Sequence, residues 1–543
     1  MNTATSPLWS NGSTAVIHTG TWRSATPGYN ELPSPCHQAC PVGGSIARWI
    51  GQLRDGDPFG AWLTLVENNP FPAIAGRICH HPCEAACNRA ELDEAVSICR
   101  LERAVGDRAL AAGWRFPEVT ARRDQRIAVI GGGPAGLSVA YQLRRRGYGV
   151  TLFEAQPALG GLLRYGIPPY RLADAIVDGE IARILDLGVE ARTGQAIDAA
   201  AFARLRREFD AVYVATGAAR SKRLPGLDYD QTWVIDGARY LAETNAGGRP
   251  QTGQRLVVVG GGSAALDVAR TARRHGRDVT VLALEAEGQL PAQRDEVVEG
   301  LEEGLTLVAG AMLQSVTAHA DGSLTLHCTR VEFVPGAARG EFTVTPVADS
   351  AFELAADAIV PSIGQEADLT PFAGSGPLLD VDGDFRCDLG NVWAGGDVAS
   401  MERFVTAAVG MGKSAAAAID RALNPERAAH FEAEPDAVPY AAINTHYHPP
   451  RARAATPRRA PAERIDNFDE VQLALAADAA LAEAERCFSC GSCIYCDNCY
   501  LYCPDMAVSK LPDGYAIRTE YCKGCGLCVK ECPTGAIQMR SGK

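Results

Sequence analysis

The sequence has no apolar run that approaches the roughly 18 residues of a membrane-spanning helix. Its first residues show neither the basic stretch nor the apolar core of a secretion signal. It also has no excess of positive charge, because 52 Lys and Arg residues are outweighed by 65 Asp and Glu residues, for a net charge of −13. Nonspecific binding to nucleic acid is therefore disfavoured. We expect a cytoplasmic protein with no nucleic-acid partner and no membrane insertion.

The sequence also offers no Ser-His-Asp or Cys-His set that could act as a catalytic nucleophile, so we expect no catalytic side chain.

The 543 residues are enough for about three or four domains. Cysteine is plentiful: six of the 18 lie between residues 36 and 99, and ten lie between residues 487 and 532. In a reducing compartment such groups are more typical of metal ligands than of disulfides. Cys328 and Cys387, isolated among apolar neighbours, are predicted to be core residues.

Residues 126–154 predict a βαβ unit that binds a dinucleotide. A buried strand over Ile127–Ile130 runs into three glycines spaced G-x-G-x-x-G, and a helix follows. The first glycine makes the tight turn, the second lets the backbone approach a pyrophosphate, and the third lets helix and strand pack closely. A second strand ends in an acid that can accept hydrogen bonds from a ribose 2′-OH. The expected contacts are Gly131, Gly133, Pro134, Ala135, Gly136 and Glu154.

The same pattern returns at residues 255–285. An apolar strand leads into G-x-G-x-x-A, a helix is predicted over Ala264–His275, and the next strand ends at an acid. Two such units imply two dinucleotides, or one cofactor and a degenerate repeat. The expected contacts in this unit are Gly260, Gly262, Ser263, Ala264 and Glu285.

Three shorter stretches are predicted to return to the first dinucleotide. GGLLRYGIP, from residue 160, is a glycine-rich turn suited to passing close beneath a flat cofactor. AVYVATG, from residue 211, is a buried strand that ends in a turn of small residues, and NVWAGGD, from residue 391, ends in a carboxylate that can meet a sugar-like hydroxyl. A helix is predicted over Phe404–Asp420, with its start aimed at the same cofactor. The expected contacts are Gly161, Leu162, Arg164, Thr216, Gly217, Gly396 and Asp397.

Near the C-terminus the cysteines form two C-x2-C-x2-C-x3-C-P runs, the spacing of a bacterial two-cluster ferredoxin. In that motif the fourth cysteine of each run ligates the other cluster. One [4Fe–4S] cluster is thus predicted on Cys493, Cys496, Cys499 and Cys532, and the second on Cys522, Cys525, Cys528 and Cys503. Cys487 and Cys490 precede the runs and are either structural or a further ligand set. The basic run Arg451–Arg459 is interpreted as a solvated linker, or as a docking site for an acidic partner.

The N-terminal cysteines have a less decisive spacing. C-x3-C-P near residue 40 is followed by C-x3-C-x3-C near residue 83, and Cys99 lies further on. Spacings of three keep thiolates on one side of a tight turn, and Cys-Pro is a frequent end to an iron–sulfur motif. Zinc is the rival, because four-cysteine zinc sites use similar spacings. The predicted metal ligands are Cys36, Cys40, Cys79, Cys83 and Cys87.

Together these motifs resemble a known family. From Cys36 to Asp420 the chain is similar to the small subunit of bacterial glutamate synthase, whose family includes the large subunit of ferredoxin:NADP transhydrogenases and part of dihydropyrimidine dehydrogenase. The matching motifs are CP at Cys40, CEAAC at Cys83, GGGPAGL at Gly131, GGLLRYGIP at Gly160, ATG at Ala215, GGGSAALD at Gly260 and AGGD at Ala394. The resemblance implies an N-terminal iron–sulfur domain, an FAD in the first Rossmann unit and NAD(P)H in the second.

The chain departs from this family in two places. The family usually has two further cysteines before the position of Cys36, and they are absent here. The resemblance implies that Cys40, Cys79, Cys83 and Glu102 match one N-terminal cluster, whereas Cys36 and Cys87 match the other, incomplete one. Cys36, Cys87 or Cys99 could instead be recruited to the first cluster. The C-terminal ferredoxin after RCFSCG resembles the NAD(P)H:acceptor subunits that accompany dissimilatory sulfite reductase or 2-oxoacid:acceptor oxidoreductases.

The second Rossmann unit predicts NAD(H) rather than NADP(H). An NADP site needs cations at the end of the second strand to neutralise the 2′-phosphate, whereas an NAD site has an acid for the 2′-OH. NADPH-using relatives end this strand in Tyr-Arg-Arg, where this chain has Ala283, Leu284 and Glu285. Two alternatives stay open: Glu285 is only a solvated strand end, or cations nearby in the sequence substitute for the missing pair, namely Arg273, Arg274 and Arg294.

We therefore predict an α/β protein with two Rossmann-like dinucleotide-binding domains, an N-terminal helical iron–sulfur domain and a C-terminal α+β bacterial ferredoxin domain. The predicted segments are an extended arm at 1–33, the helical domain at 34–122, the FAD domain at 123–245 and 355–422, the NAD(H) domain at 246–354, a linker and helix at 423–484, and the ferredoxin at 485–543.

The predicted function is electron transfer between NAD(H), FAD and at least three [4Fe–4S] clusters, as a subunit of a larger enzyme. NAD(P)H gives up hydride and a cluster takes one electron at a time, and a flavin can do both. The expected partner is a 2-oxoacid:acceptor oxidoreductase. The alternatives are a sulfite-reductase-associated NADH:acceptor oxidoreductase, a glutamate synthase small subunit, and an FAD-free scaffold or redox sensor.

Overall fold

The computed structural model describes residues 16–20, 23–29, 32–337, 340–372, 374, 376–427 and 435–541, so residues 1–15 of the predicted arm lie outside it. The helices are α1 (Pro35–Ala39), α2 (Ile46–Arg54), α3 (Pro58–Val66), α4 (Pro72–Ile78), α5 (Pro82–Ala85), α6 (Ile98–Ala111), α7 (Pro134–Arg145), α8 (Leu162–Tyr165), α9 (Asp174–Asp186), α10 (Ala199–Glu208), α11 (Gly237–Asn245), α12 (Ser263–Arg274), α13 (Arg294–Glu302), α14 (Val405–Leu423), α15 (Ala477–Ala484), α16 (Asn498–Leu501) and α17 (Leu527–Lys530). The strands are β1 (Ala25–Tyr29), β2 (Arg126–Ile130), β3 (Gly149–Phe153), β4 (Glu190–Arg192), β5 (Ala211–Val214), β6 (Arg220–Ser221), β7 (Arg255–Val259), β8 (Asp278–Leu282), β9 (Thr306–Val308), β10 (Ala311–Ala318), β11 (Leu324–Pro335), β12 (Phe342–Ala356), β13 (Ala358–Pro361), β14 (Gln365–Glu366), β15 (Val392–Ala394), β16 (Val508–Leu511), β17 (Gly514–Ile517) and β18 (Ile537–Ser541).

The N-terminal region is helical, as the cysteine-rich sequence predicted. A proline opens each of α1, α3, α4 and α5, where its missing N–H costs no helical hydrogen bond. Asp57 caps α3 by accepting a hydrogen bond from the Gly60 amide at 2.8 Å. Trp49 and Trp62 are buried in the core that these helices share. The short helices thereby hold the cysteine turns between them in fixed positions.

Helices α4 and α6 pack at a close crossing made possible by glycine. A Cβ at Gly106 would lie 2.3 Å from the backbone nitrogen of Ala73. We expect Gly106→Ala to destabilise the protein by about 1–3 kcal/mol, because backbone on both sides must move apart. Chemical denaturation measures the loss, and Gly383→Ala, where an added Cβ meets nothing within 4 Å, is the control. Equal stability of the two variants would contradict this account of the crossing.

The first dinucleotide-binding unit is a parallel sheet of five strands in the order β15-β5-β2-β3-β4. The strand order reverses between β2 and β5, so the carboxyl ends of these strands open the crevice in which such sheets bind ligands. Helix α7 follows β2 through the first glycine-rich turn. Helix α14 packs against α7 and begins at the same edge of the sheet. The predicted Rossmann architecture is confirmed here.

The second unit is a parallel sheet in the order β13-β7-β8-β9, with helix α12 after its own glycine turn. A three-stranded antiparallel sheet, β10-β11-β12, extends from it, and sequence analysis did not predict this sheet. Leu326 and Cys328 of β11 are buried against Val257 and Ile359 of the parallel sheet. Cys328 is therefore a core residue, as predicted, and Cys387 is buried likewise in the first unit.

The two ends of the chain meet in one sheet. Strand β1 pairs antiparallel with β18, from Ala25 opposite Ser541 to Tyr29 opposite Ile537. The Tyr29 hydroxyl donates a hydrogen bond to the Cys499 sulfur at 3.2 Å. The predicted arm is thus partly a strand of the ferredoxin region, which also contains the β16–β17 hairpin and helices α16 and α17.

The basic run Arg451–Arg459 is partly exposed, and some of its arginines make ion pairs with other parts of the chain. Arg451 pairs with Glu485 at 2.6 Å. Arg453 pairs with Glu84 and donates to the Ser97 hydroxyl at 2.7 Å. The run is ordered because acidic side chains of the N-terminal helical region and of α15's end neutralise it. Residues 435–484 therefore contact and stabilise the N-terminal region.

No helix of the described ranges is both long and apolar enough to cross a bilayer.

Candidate functional site

One cavity of about 2080 Å³ connects both glycine turns, and the carboxyl ends of both parallel sheets open into it. Ligand pockets of roughly 300–1,000 Å³ hold one drug-sized molecule, so this volume is sufficient for two extended ligands. Most of the predicted contacts line it. From the first unit these are Gly131, Gly133, Pro134, Ala135, Glu154, Gly161, Leu162, Thr216, Gly217, Gly396 and Asp397, and from the second Gly260, Gly262, Ser263, Ala264 and Glu285.

The first glycine turn has a geometry that only glycine allows. Gly131 has a φ of +107°, and a Cβ there would lie 2.3 Å from the carbonyl oxygen of Ala215. A Cβ at Gly136 would lie 1.9 Å from the Gly131 oxygen, so this glycine serves the turn without lining the cavity. Arg164 also lies off the cavity wall, where it pairs with Asp178. Both stay predictions as cofactor contacts.

Polar groups on this side of the cavity fit a dinucleotide. The Glu154 carboxylate accepts hydrogen bonds from the amides of Gly132 at 2.7 Å and Gln156 at 2.8 Å, which fixes it beside the glycine turn. The Thr216 hydroxyl is buried and finds no hydrogen-bond partner among the described residues. Buried polar groups without a partner are rare and call for a ligand or water. Thr216 is therefore suited to hold a polar edge of FAD.

The second glycine turn is open at Gly262, the second glycine of its G-x-G-x-x-A motif. A Cβ at Gly260 would lie 2.4 Å from the Ser362 carbonyl oxygen, whereas a Cβ at Gly262 would meet nothing within 4 Å. The carboxyl of Glu285 lines the cavity, and burial raises its pKa above the ordinary value. A carboxylate at this strand end is the group that an NAD ribose requires.

Three arginines could have replaced the missing cations of an NADP site, but two of them bind other groups of the chain. Arg274 is buried and pairs with Glu303 at 2.7 Å, and Arg273 donates to the Glu303 carbonyl oxygen at 3.1 Å. Arg294 is exposed at the start of α13 and is absent from the cavity wall, as far as the described residues define it. No arginine from this set reaches the position beside Glu285.

Three N-terminal cysteines gather directly behind the cavity wall. Burial, followed by the thiols of Cys40 and Cys79, raises the pKa of Cys83. Burial raises the pKa of Cys79 to about 12, and the Cys79 sulfur lies 3.7 Å from the hydroxyl of Thr406 in α14. The neighbouring Ile78 is part of the wall. We call Cys40, Cys79 and Cys83 the inner cysteines, because they lie nearest the dinucleotide cavity.

Glu102, which the family resemblance implies as the fourth ligand, lies close to this group. Burial raises the pKa of its carboxyl to about 7, and it accepts a hydrogen bond from Asn69 at 2.8 Å. Its charge further raises the pKa of the Cys40 thiol, after the effect of burial. Cys99, one helical turn earlier in α6, is buried with its sulfur 3.6 Å from the Ala75 carbonyl oxygen. The inner cysteines and Glu102 therefore lie together, with Cys99 packed beside them, and their role as a ligand set stays a prediction.

The ferredoxin region brings the two cysteine runs together. Burial raises the pKa of Cys493, and the Cys532 thiol adds to this shift. Burial likewise raises the pKa of Cys528 to about 12, with Cys522 and Cys503 adding to it. The fourth cysteine of each run therefore lies with the first three of the other run. No His, Cys, Asp or Glu group within the described ranges is placed to hold a single metal ion.

Comparison with known proteins agrees with this arrangement. Residues 125–412 match the pyridine nucleotide-disulphide oxidoreductase family, residues 30–114 match the 4Fe-4S cluster domain II of dihydropyrimidine dehydrogenase, and residues 515–538 match a 4Fe-4S binding domain. The first of these matches covers more than half of the chain. The chain belongs to the pyridine nucleotide-disulphide oxidoreductase family.

Several proteins of known function are similar to this chain over most of its length. The NADP(+)-dependent formate dehydrogenase subunit beta of Moorella thermoacetica is 32% identical over 508 residues, covering 84% of this chain and 71% of the relative. The NADPH-Fe(3+) oxidoreductase subunit beta of Geobacter sulfurreducens is 30% identical over 516 residues, with 85% and 75% covered. The NAD-dependent dihydropyrimidine dehydrogenase subunit PreT of Salmonella typhimurium is 30% identical over 393 residues, with 71% and 90% covered.

As a family member with these attached domains, the chain is an NAD(P)H-dependent oxidoreductase that transfers electrons through flavin and 4Fe-4S centres. The predicted enzyme class is therefore confirmed. Sequence reasoning missed several cavity-lining residues outside the glycine motifs, including Arg171, Arg239, Gln289 and Arg403. These residues lie in loops and short helices whose path to the cavity depends on tertiary packing, and no local pattern marks them.

The open space at Gly262 gives a test of the second nucleotide site in this family member. We expect Gly262→Val to raise the KM for NADH at least about tenfold, since the added methyl groups would occupy the passage that the second glycine of this fingerprint leaves for a pyrophosphate. FAD content and thermal stability should stay unchanged. Steady-state kinetics and flavin absorbance measure both, with Gly288→Val as a control at an equally open glycine. A variant with unaltered KM would place the dinucleotide elsewhere.

Proposed function

We propose that this chain passes electrons between NADH and a protein partner, by way of FAD in the first dinucleotide site and [4Fe–4S] clusters on the two cysteine-rich regions. The observation that carries the proposal is the single cavity that joins both glycine turns and has the inner cysteines behind its wall. When bound, a flavin exchanges hydride with a nicotinamide and single electrons with a cluster. The residues of this chain hold the nucleotides and the clusters in the positions that this transfer requires.

The roles of these residues follow from the geometry. The turn at Gly131 and Gly133, with Thr216 and Asp397, would hold FAD beside the start of α14. The turn at Gly260 would hold the nicotinamide nucleotide from the opposite side of the same cavity. His80, next to the inner cysteine Cys79, stacks on the cavity-lining ring of Phe404 with centroids 3.7 Å apart. The flavin site and the inner cysteines are thereby held in contact through one packed wall.

Anaerobic purification and titration with NADH test this function. The protein should be brown from its clusters, and NADH should lower the flavin absorbance near 450 nm, because reduced flavin lacks that band. A cluster-bearing scaffold or redox sensor, the alternative without FAD, would give a brown protein with no response to NADH. Bleaching by NADPH alone would keep the electron-transfer function and overturn the choice of NADH.

We further propose that the ferredoxin region docks on a larger oxidoreductase. Large apolar side chains are exposed around its cysteine runs: Leu501 is 68% exposed, Met506 79% and Tyr495 60%. Exposed apolar patches of this kind mark protein–protein contact sites. Two of the relatives carry the word subunit beta in their names, which supports a hetero-oligomer.

The proposed partner is a 2-oxoacid:acceptor oxidoreductase, as the resemblance of the C-terminal region implied. A sulfite-reductase-associated complex and a glutamate synthase are the alternatives. The large subunit that co-purifies with the affinity-tagged protein from its native cell decides among them, because mass spectrometry distinguishes the three enzyme classes. A glutamate synthase large subunit would leave the ferredoxin region without a role.

A further inference from the structure

Four cysteines from the two ends of the chain line one small enclosed cavity. Cys36 is in α1 and Cys87 follows α5, whereas Cys487 and Cys490 follow α15, some 400 residues later. The rest of the wall is mainly apolar, and includes Ile46, Ile50, Val96, Ile98 and Phe488. None of these thiols belongs to the inner cysteines or to the ferredoxin runs.

The four sulfurs lie within electrostatic reach of one another. Burial raises the pKa of the Cys36 thiol well above its ordinary value, and although a hydrogen bond from Ser34 opposes this shift, Cys487, Cys87 and Cys490 add to it. Burial raises the pKa of Cys490 to about 12, with Cys487 as the next contributor. Neutral buried thiols can also pack as small apolar groups. A second feature is therefore needed to decide whether these four thiols are core residues or metal ligands.

That second feature is the backbone turn of Cys487-Phe-Ser-Cys490. Ser489 is 3% exposed and adopts a φ of +52°, and its amide donates to the Cys487 sulfur at 3.4 Å. A left-handed conformation is costly for a serine and persists where a function requires it. The same turn recurs at three predicted cluster ligands: Cys79 with His81 (φ +41°, 3.2 Å), Cys493 with Tyr495 (φ +56°) and Cys522 with Gly524 (φ +71°, 3.4 Å).

We propose that Cys36, Cys87, Cys487 and Cys490 bind a fourth [4Fe–4S] cluster, whose ligands come in pairs from the N-terminal helical region and from the segment before the ferredoxin runs. The proposal deepens the proposed function, on which it rests only for the presence of iron–sulfur clusters. An Asn88 side-chain amide donates to the Cys490 sulfur at 3.5 Å, as N–H groups do to the sulfurs of such clusters.

The position of this cluster gives it a role in the electron path. One turn of α1 separates Cys36 from the inner cysteine Cys40. On the other side, Cys490 is followed closely by Cys493, the first ferredoxin ligand, and the Gly491 amide donates to the Thr534 carbonyl oxygen at 2.8 Å. The fourth cluster would lie between the inner cysteines and the ferredoxin, so that electrons cross from one region to the other inside a single chain.

Iron analysis of the full-length holoprotein tests the proposal. The unmodified protein should contain about 16 irons and as many acid-labile sulfides, the content of four [4Fe–4S] clusters. Cys487→Ser with Cys490→Ser should lower both to about 12, and Cys36→Ser with Cys87→Ser should do the same. The matched control replaces the buried core residues Cys328 and Cys387 with serine, and should retain about 16 irons.

Two results would overturn the assignment. One is about 12 irons in the unmodified protein, a count that stands even if a variant fails to fold. The other is an iron content that neither pair of substitutions changes. If the first result comes with one zinc per chain, the four thiols form a zinc site instead. Bleaching of the flavin by NADH should persist in every variant. Its absence from the unmodified protein would defeat the proposed function while leaving the cluster count unaffected.

Discussion

Replacing Leu284 and Glu285 with arginine is expected to shift the ratio of kcat/KM for NADPH over NADH by roughly 100- to 10,000-fold. The carboxylate of Glu285 lines the cavity at the strand end where a 2′-phosphate would lie. Two arginines there would add charge-assisted hydrogen bonds of about 1.5–3 kcal/mol each to the 2′-phosphate and remove the acid that holds the NAD ribose. Each 1.4 kcal/mol corresponds to a factor of about ten.

The control adds charge to the same domain away from the cavity. Val298 and Leu301 are exposed on α13 and do not line the cavity, so their replacement by arginine should leave the ratio unchanged within about threefold, because solvent-exposed charges are screened. Steady-state kinetics with both nucleotides measure the ratio. If the unmodified protein already prefers NADPH, the role of Glu285 is wrong, since neither Arg273 nor Arg274 is available beside it.

Placing aspartate at Leu501 and Met506 is expected to slow reduction of the partner enzyme at least about 30-fold, the effect of losing one interface hot spot worth 2 kcal/mol. These two side chains are among the most exposed apolar groups of the ferredoxin region. They lie close to the cysteine runs in sequence, where electron transfer to a docked protein requires short distances. Reduction of the flavin by NADH should keep its rate.

Stopped-flow absorbance separates the two steps, with the co-purified partner subunit as acceptor. Val347→Asp, at an exposed apolar residue of β12, is the matched control and should leave partner reduction unaltered. Equal rates for all three proteins would remove the ferredoxin region as the docking site. Point variants serve better than a chain cut near residue 420, because residues such as Val471 and Ala484 beyond that point are buried in the core.

The two Rossmann units could be predicted because each is encoded in about 30 consecutive residues. The strand before Gly131, the turn and the acid Glu154 all contribute local signals, and the structure places them around one cavity. The two cysteine runs of the ferredoxin region could be predicted for the same reason. Their cysteine spacing is fixed by the cluster and needs no tertiary information.

The parts that sequence reasoning missed depend on contacts between distant segments. Nothing in ATPGY around Ala25 indicates that it pairs with the last strand. The basic run near Arg453 has the composition of a linker, and only the acids that neutralise it, such as Glu84, explain why it is ordered. The C-x2-C at Cys487 was ambiguous for the same reason, because its two partner thiols are some 400 residues away in the chain.

The pairing of β1 with β18 has a consequence for biosynthesis. Arg540 contacts the Tyr29 carbonyl oxygen across 511 residues of chain, so the first strand must wait for the last to be translated. At about 5–20 residues per second this takes roughly 25–100 s. During that interval Tyr29 and Cys36 lack their C-terminal neighbours, and the nascent chain carries open thiols. Insertion of the proposed fourth cluster and of the two ferredoxin clusters is therefore expected to follow translation of the C-terminal region, which makes their yield in a recombinant host depend on the supply of assembly factors late in synthesis.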